Sequence, residues 1–196
     1  MVEVVKRRGM VRRIVLAMLF SIVTMEATNG ATGTSGEAAV EFDRRVKEYV
    51  ALRDRLDTGA ARLEVTASPE EIAAAQKALA ARLRAARAEA RHKDVFTPAV
   101  EAHFRQLLNP EMEGVRGQNT RGVIQDEGPG PDAFVFEVNG EYPKQQPLGS
   151  VPGNVLRALP PLPDGIEYRF VDRHLILRDT RANLIVDYIR NAIDGE

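Results

Sequence analysis

The 196 residues hold 27 Lys and Arg against 28 Asp and Glu, a net charge of −1, and contain no Cys and no Trp. The absence of Cys excludes disulfides, a thiolate nucleophile and every Cys-ligated metal site, and the balanced charge offers no general attraction to nucleic acid. Aromatic residues are only 6% of the chain, so the expected core is mainly aliphatic and held by packing alone.

The first thirty residues read as an address. Lys6, Arg7, Arg8, Arg12 and Arg13 form a basic cluster, followed by an apolar run over 14–25 broken only by Ser21 and Thr24, and then by small and polar residues from Ala27 to Gly33. Basic, apolar, small is the order of a secretory signal peptide, with cleavage expected after Gly30 or Ala31. The apolar run is roughly a dozen residues, short of the ~20 a bilayer span needs. An uncleaved membrane anchor is the alternative. Five basic and two acidic residues lie in 1–31, so the mature chain keeps 22 bases and 26 acids, a net of −4. A periplasmic or secreted location follows from this address, and it makes nucleic acid an unexpected partner.

Residues 32–36 read as a small-residue tether. From 37 to 108 the composition turns to Ala, Arg, Glu and Leu, which favours helix. A first helix places Val46, Tyr49, Val50 and Leu56 on one stripe, with Gly59 just beyond its end. A second starts at Ser68-Pro69-Glu70-Glu71, where Ser68 can cap, Pro69 suits the first turn and Glu71 completes a capping box. Its expected apolar face is Ile72, Ala75, Leu79, Leu83, Ala86 and Ala90. A third begins at Thr97-Pro98, carries Val100, Phe104, Leu107 and Leu108, and stops at Pro110. These make a helical hairpin or three-helix bundle, whose Ala-rich seam would also allow homo-oligomers to form through the helical region.

Residues 109–132 contain Gly114, Gly117, Gly122, Gly128 and Gly130 with Pro129 and Pro131, which reads as a Gly/Pro linker. A linker of this length is uncommon inside one domain and suggests a boundary. Beyond it, over 133–196, the hydrophobic period becomes two. A strand is expected over 133–138, with a turn at Asn139-Gly140, and a short helix over 151–159. Three further strands, over 166–170, 174–178 and 183–189, are joined by short turns, which predicts an antiparallel meander. The expected class is therefore α+β: an N-terminal helical domain over 37–108 and a small antiparallel β-meander domain with a short helix over 133–196.

Val138-Asn139, Tyr142-Pro143, Leu159-Pro160-Pro161-Leu162-Pro163, Glu167-Tyr168-Arg169-Phe170, Leu175-Ile176-Leu177-Arg178-Asp179 and Leu184-Ile185-Val186-Asp187-Tyr188-Ile189 resemble a group of exported bacterial proteins of unknown function. The resemblance covers roughly residues 120–193. It implies a bacterial, exported origin and brings no known activity and no site residues. More loosely, the meander is similar to the C-terminal β-module of RcnB-type periplasmic nickel and cobalt homeostasis proteins, a similarity of strand pattern only.

No reaction motif stands out. His92, His103 and His174 lack any metal-ligand spacing. Asp126, Glu127, Asp172, Asp179 and Asp187 fall in the linker or beside the last strands, where turn and solvent roles are expected. Ser68 and Ser150 precede helix starts. Gly128-Pro129-Gly130-Pro131 lacks the N–H groups a phosphate cradle needs, so no cofactor is indicated. Leu159-Pro160-Pro161-Leu162-Pro163 favours an extended polyproline conformation, either a stiff connector or a preformed ligand for a partner.

One feature points to a partner. Lys77, Arg84, Arg87 and Arg91 run along one side of the second helix. Outside the cytoplasm such a stripe would meet anionic lipid or an envelope polyanion. The simpler expectation is a solvated face whose arginines pair with Glu41, Asp43, Glu48 or Asp54 of the first helix. The expected function is a non-enzymatic binding or protein-interaction module of the cell envelope. A periplasmic metal-handling protein and a carboxylate-dependent hydrolase are the alternatives.

Overall fold

The computed structural model describes residues 31–57, 68–130, 132–133 and 135–193. The expected export signal lies outside them, apart from its last residue, Ala31. Among the described residues no helix is long and apolar enough to cross a membrane.

Among the described residues five helices precede a three-stranded sheet. They are α1 (Ala31–Asp57), α2 (Pro69–Ala86), α3 (Pro98–Leu108), α4 (Gly114–Glu127) and α5 (Gly153–Ala158), with a 3-10 turn at Asn109–Met112 between α3 and α4. The strands β1 (Ile166–Val171), β2 (His174–Asp179) and β3 (Leu184–Ile189) form an antiparallel sheet in the order β1-β2-β3. The α+β class, the helical N-terminal part and the meander are as the residue pattern predicts. So is the start of α2: Glu71 N–H donates to Ser68 Oγ, and Ser68 N–H donates to Glu71. Thr97 caps α3 through its side chain alone, Oγ1 accepting the Val100 N–H.

Three stretches differ from expectation. Residues 32–36 belong to α1 rather than to a tether. Ser35 Oγ bonds to Gln106 on α3 and Ala38 is buried, so packing outweighs the low helix propensity of the small residues. Residues 109–127 are mostly helical instead of forming a loose linker. Gly114 has φ +62 and reverses the chain after the 3-10 turn. Gly117 lets α4 approach so closely that a Cβ there would lie 2.0 Å from the Met112 carbonyl carbon. The inner face of α4 is Gly117, Thr120 and Ile124, a helical spacing hidden by its lack of large apolar groups. Finally, no strand forms over 133–138 among the described residues. β3 bonds instead to the turn beyond: Asn139 N–H donates to Ile185 O, Ile185 N–H to Gly140 O, and Tyr142 N–H to Asn183 O.

Both sheet faces are covered. On one face, Tyr168, Phe170, Leu175, Leu177, Leu184 and Val186 join Phe42 and Val46 of α1, Leu79 and Leu83 of α2, and Val100, Phe104 and Leu108 of α3 in one core. Phe42, Phe96 and Phe104 pack ring against ring at its centre, with centroids 4.8 to 5.6 Å apart. On the other face, Phe136 and Tyr142 cover Val171, Ile176, Ile185 and Tyr188. The helices and the meander thus share one core. Along α2, Leu79, Ala80 and Leu83 are buried while Ile72, on the expected apolar face, is 48% exposed.

Polar bonds tie the same junction. Tyr49 Oη on α1 donates to Asp179 at 2.8 Å, and Arg53, itself 3% exposed, donates to Asp164 O. β3 carries one extra residue between the Arg178–Ile185 and Leu177–Asp187 pairs, a bulge at Val186. A bulge re-aims side chains. Here Asp187, fully buried, accepts the backbone N–H groups of Lys93, Val95 and Phe96 and stands 3.2 Å from His92 Nδ1. Asp187 is therefore an interior acceptor, not the solvent carboxylate its position suggested, whereas Asp179, also buried, keeps the expected turn role, its Oδ1 accepting the Arg181 and Ala182 N–H groups. The sequence neighbours of Asp187 gave no sign of the 92–96 loop that comes to bond it.

Candidate functional site

The capping box fixes where α2 begins and hence which way each residue faces. Ala73, Lys77, Ala80 and Arg84 recur at helical spacing and share one flank. Opposite them stands the loop of residues 141–145. It is held to the sheet edge by a bridge between Glu141 and Leu184, by Asn183 Nδ2 donating to Tyr142 O at 2.8 Å, and by Tyr142 Oη donating to Pro147 O at 2.6 Å. Burial pushes the Tyr142 phenol above its ordinary pKa, so it keeps that proton and that bond.

Between helix and loop lies a cleft of about 720 Å³ whose charged lining is Lys77, Arg84, Lys144 and Glu141. The small side chains of Ala73, Ala74 and Ala80 leave the space, and Gln76 and Gln145 add amides to the wall. Gln76 is partly committed, since its Nε2 donates to Thr180 O. Lys77, Arg84 and Lys144 have no ion-pair partner among the described residues. Arg84 uses only Nε, which donates to Asn139 O at 3.0 Å, leaving the outer edge of its guanidinium for a ligand. Glu141 accepts from Asn183 Nδ2 at 3.3 Å. Three cations against one carboxylate, itself hydrogen-bonded, make the cleft locally positive on a chain of near-zero net charge.

The four residues of the predicted basic stripe separate in the fold. Lys77 and Arg84 line the cleft. Arg87 turns inward: its guanidinium lies 4.8 Å above the Tyr49 ring and donates to Asn139 Oδ1 and Val186 O. Burial holds its pKa below the ordinary arginine value, and its role is to fasten α2 to the sheet. Arg91 is exposed beyond the end of α2, and its backbone N–H donates to Asp94. The expected pairing of this stripe with α1 is not found. Glu41, Asp43 and Glu48 pair with Arg45, Lys47 and Arg44 of their own helix, and Asp54 with Arg53 and Arg181. Lys144 was missed by sequence reasoning. Its one signal is that it is the sole base between Arg121 and Arg157.

The other candidate groups stay apart. His92 stacks on Tyr188 with centroids 4.1 Å apart, and its Nε2 lies 3.8 Å from Glu101. His174 Nδ1 accepts the Asn191 N–H at 2.8 Å, and its ring lies 5.3 Å from that of Phe136. His103 sits on α3 beside Phe104. Among the described residues no group of three or more His, Asp or Glu is placed to hold a metal ion. A second cleft, of about 280 Å³ and largely apolar, lies along β1. Each of the two clefts has a single carboxylate in its lining, Glu141 in one and Glu167 in the other. Glu167 is bound by Arg169 and Arg178 at 2.7 and 2.6 Å. Burial pushes its carboxyl up, but these two hydrogen-bonded cations outweigh that and hold it below the ordinary value. No family model, no characterised protein and no solved structure matches this chain.

Proposed function

We propose that the protein is a non-enzymatic binding module of the bacterial cell envelope that takes an anionic ligand in the cleft between α2 and the 141–145 loop. One observation supports this above the others. Lys77, Arg84 and Lys144 come from two separate elements, line one cleft, and lack ion-pair partners among the described residues. Cations of a purely solvated face would have no reason to line a common cleft with alanines at its base. The cell-envelope setting rests on the basic, apolar, small order of residues 6–33 and on the resemblance of residues 120–193 to exported bacterial proteins.

Titration of the full chain with fluorescent dextran sulfate, and separately with vesicles containing phosphatidylglycerol, tests the ligand class. Binding should weaken at least about tenfold between ~50 and ~300 mM salt. Replacing Lys77, Arg84 and Lys144 together by Gln should weaken it by a similar factor, while Arg91→Gln should change it little. Equal affinity for the triple variant and the parent would refute the cleft. Intact mass of the protein in envelope, medium and membrane fractions of a bacterial host tests export. A shortened soluble species supports a cleaved signal, and a full-length membrane species supports an anchor.

A further inference from the structure

The cleft between α2 and the 141–145 loop is ordered as well as positive. Along the α2 flank alanines alternate with cations, in the order Ala73, Lys77, Ala80, Arg84. Lys77 and Arg84 are seven residues apart, about 10 Å along the helix axis. Ala80 lies between them, and its methyl group takes up little of the space. Lys144 lines the opposite wall. The cleft also holds acceptors. Gln76 Nε2 donates to Thr180 O at 3.1 Å, which leaves the amide oxygen for a ligand. Glu141 Oε1 accepts from Asn183 Nδ2 at 3.3 Å, and its Oε2 has no hydrogen-bond partner among the described residues. Gln145 is exposed and adds a second amide to the wall.

These features select among anions. A densely charged polyanion sets a negative charge against Glu141 and brings few donors, and an acceptor left unmet on binding forfeits its bond to water. A ligand with hydroxyl groups between spaced anions satisfies cations and acceptors together. Cations separated by an alanine match anions separated by a neutral unit, and two linked pyranose rings advance a sugar chain by about the distance from Lys77 to Arg84. A volume of about 720 Å³ takes a few such rings and not merely a single ion. The lining has one arginine and no aromatic ring, and neither wall is a strand, so the parts that grip an acidic or extended peptide are missing. We infer that the cleft binds an acidic oligosaccharide in which uronate units alternate with uncharged sugars. Lys77 and Arg84 take two carboxylates, the neutral ring passes over Ala80, and Gln76 and Glu141 accept hydroxyl groups. This assignment rests on the cleft being an anion site and narrows it to one ligand class.

The test is calorimetric titration of the full chain with a six-unit oligosaccharide of alternating glucuronate and N-acetylglucosamine. Hexagalacturonate, charged on every unit, and hexaglutamate are the comparators. The alternating chain should bind at least about fivefold more tightly than either, although it carries half their charge. Glu141→Ala should weaken the alternating chain at least about threefold yet tighten dextran sulfate, because it removes both a hydroxyl acceptor and a repelling charge. Ala73→Leu fills a neutral position at unchanged charge and should also weaken the alternating chain. Equal or tighter binding of hexagalacturonate or hexaglutamate, lost when Lys77, Arg84 and Lys144 are replaced together by Gln, overturns the sugar assignment and leaves an anion site. A Glu141→Ala effect of the same sign on both ligands overturns it equally. Binding that survives the triple replacement, or none to any probe, dextran sulfate included, at ~1 mM, overturns the anion site as well.

Discussion

Asp187 and His174 show how much of this molecule turns on single polar atoms. Asp187 has no exposed surface, and its oxygens accept backbone N–H groups from Lys93, Val95 and Phe96 as well as from Tyr188. Replacement by Ala would leave those donors buried and unpaired, each at the cost of an unmade bond. Asp187→Ala should therefore lose about 3 kcal/mol in urea unfolding. Asp187→Asn keeps one acceptor oxygen and should lose less; a loss below about 1 kcal/mol for the Ala variant would mean the loop does not depend on this carboxylate. His174 responds to pH. Burial pushes its imidazole below the ordinary 6.5, the Asp172 carboxylate pulls the other way, and Arg190 and Arg173 add to the lowering. The neutral ring is also the form that can accept the Asn191 N–H. The folded state then binds this proton less readily than the unfolded one, so stability is full above 6.5 and is lost as pH falls through the lowered folded value. The urea midpoint should fall between about pH 7.5 and 5, and His174→Gln should reduce that fall. An identical pH profile for the two proteins would exclude His174 as its source.

At the scale of elements, α4 explains why a glycine-rich stretch folds as a helix. Gly117 and Gly122 lie on the same helix but have opposite surroundings. A Cβ at Gly117 would meet Met112 backbone at 2.0 to 2.8 Å, whereas one at Gly122 meets nothing within 4 Å. Gly117→Ala should therefore destabilise by about 2–3 kcal/mol, through forced movement of the 3-10 turn. Gly122→Ala should stabilise by about 0.5–1 kcal/mol, because the unfolded chain loses freedom and nothing clashes. Urea melts of the two variants check the pair; shifts of the same sign would contradict the close approach at Gly117. The bulge at Val186 is the corresponding device in the sheet. It brings both Val186 and Asp187 to the helical side, so that one strand supplies a core residue and the acceptor for the 92–96 loop.

At the scale of the whole molecule, helices and meander bury the same apolar groups. Phe42 and Phe104 lie against Tyr168 with centroids 6.4 and 6.0 Å apart, and neither half covers these rings alone. Unfolding should be a single transition in which far-UV circular dichroism, reporting helices, coincides with the near-UV tyrosine signal from Tyr49 and Tyr168. Two separated midpoints would mean that the helical part and the meander fold as independent units. Burial pushes both phenols far above the ordinary value, for Tyr49 with Asp179 beside it, so their near-UV signal follows folding and not ionisation at neutral pH.

The residue pattern alone determined every element whose signal is local. The Ser68 capping box, the Thr97-Pro98 start and the three alternating strands need only neighbours a few residues away, and the structure keeps them. Half of the candidate cleft was legible for the same reason, since Lys77 and Arg84 share a flank by helical period. Tertiary structure decided the rest. It made a helix of 114–127 because Gly117 packs on Met112, and among the described residues of 133–138 it formed no strand, β3 bonding the turn that follows. It buried Asp179 and Asp187 by bringing α1 and the 92–96 loop to them, and it set Lys144 across from α2. Each of these outcomes depends on a partner far away in sequence, whose contribution no local pattern encodes.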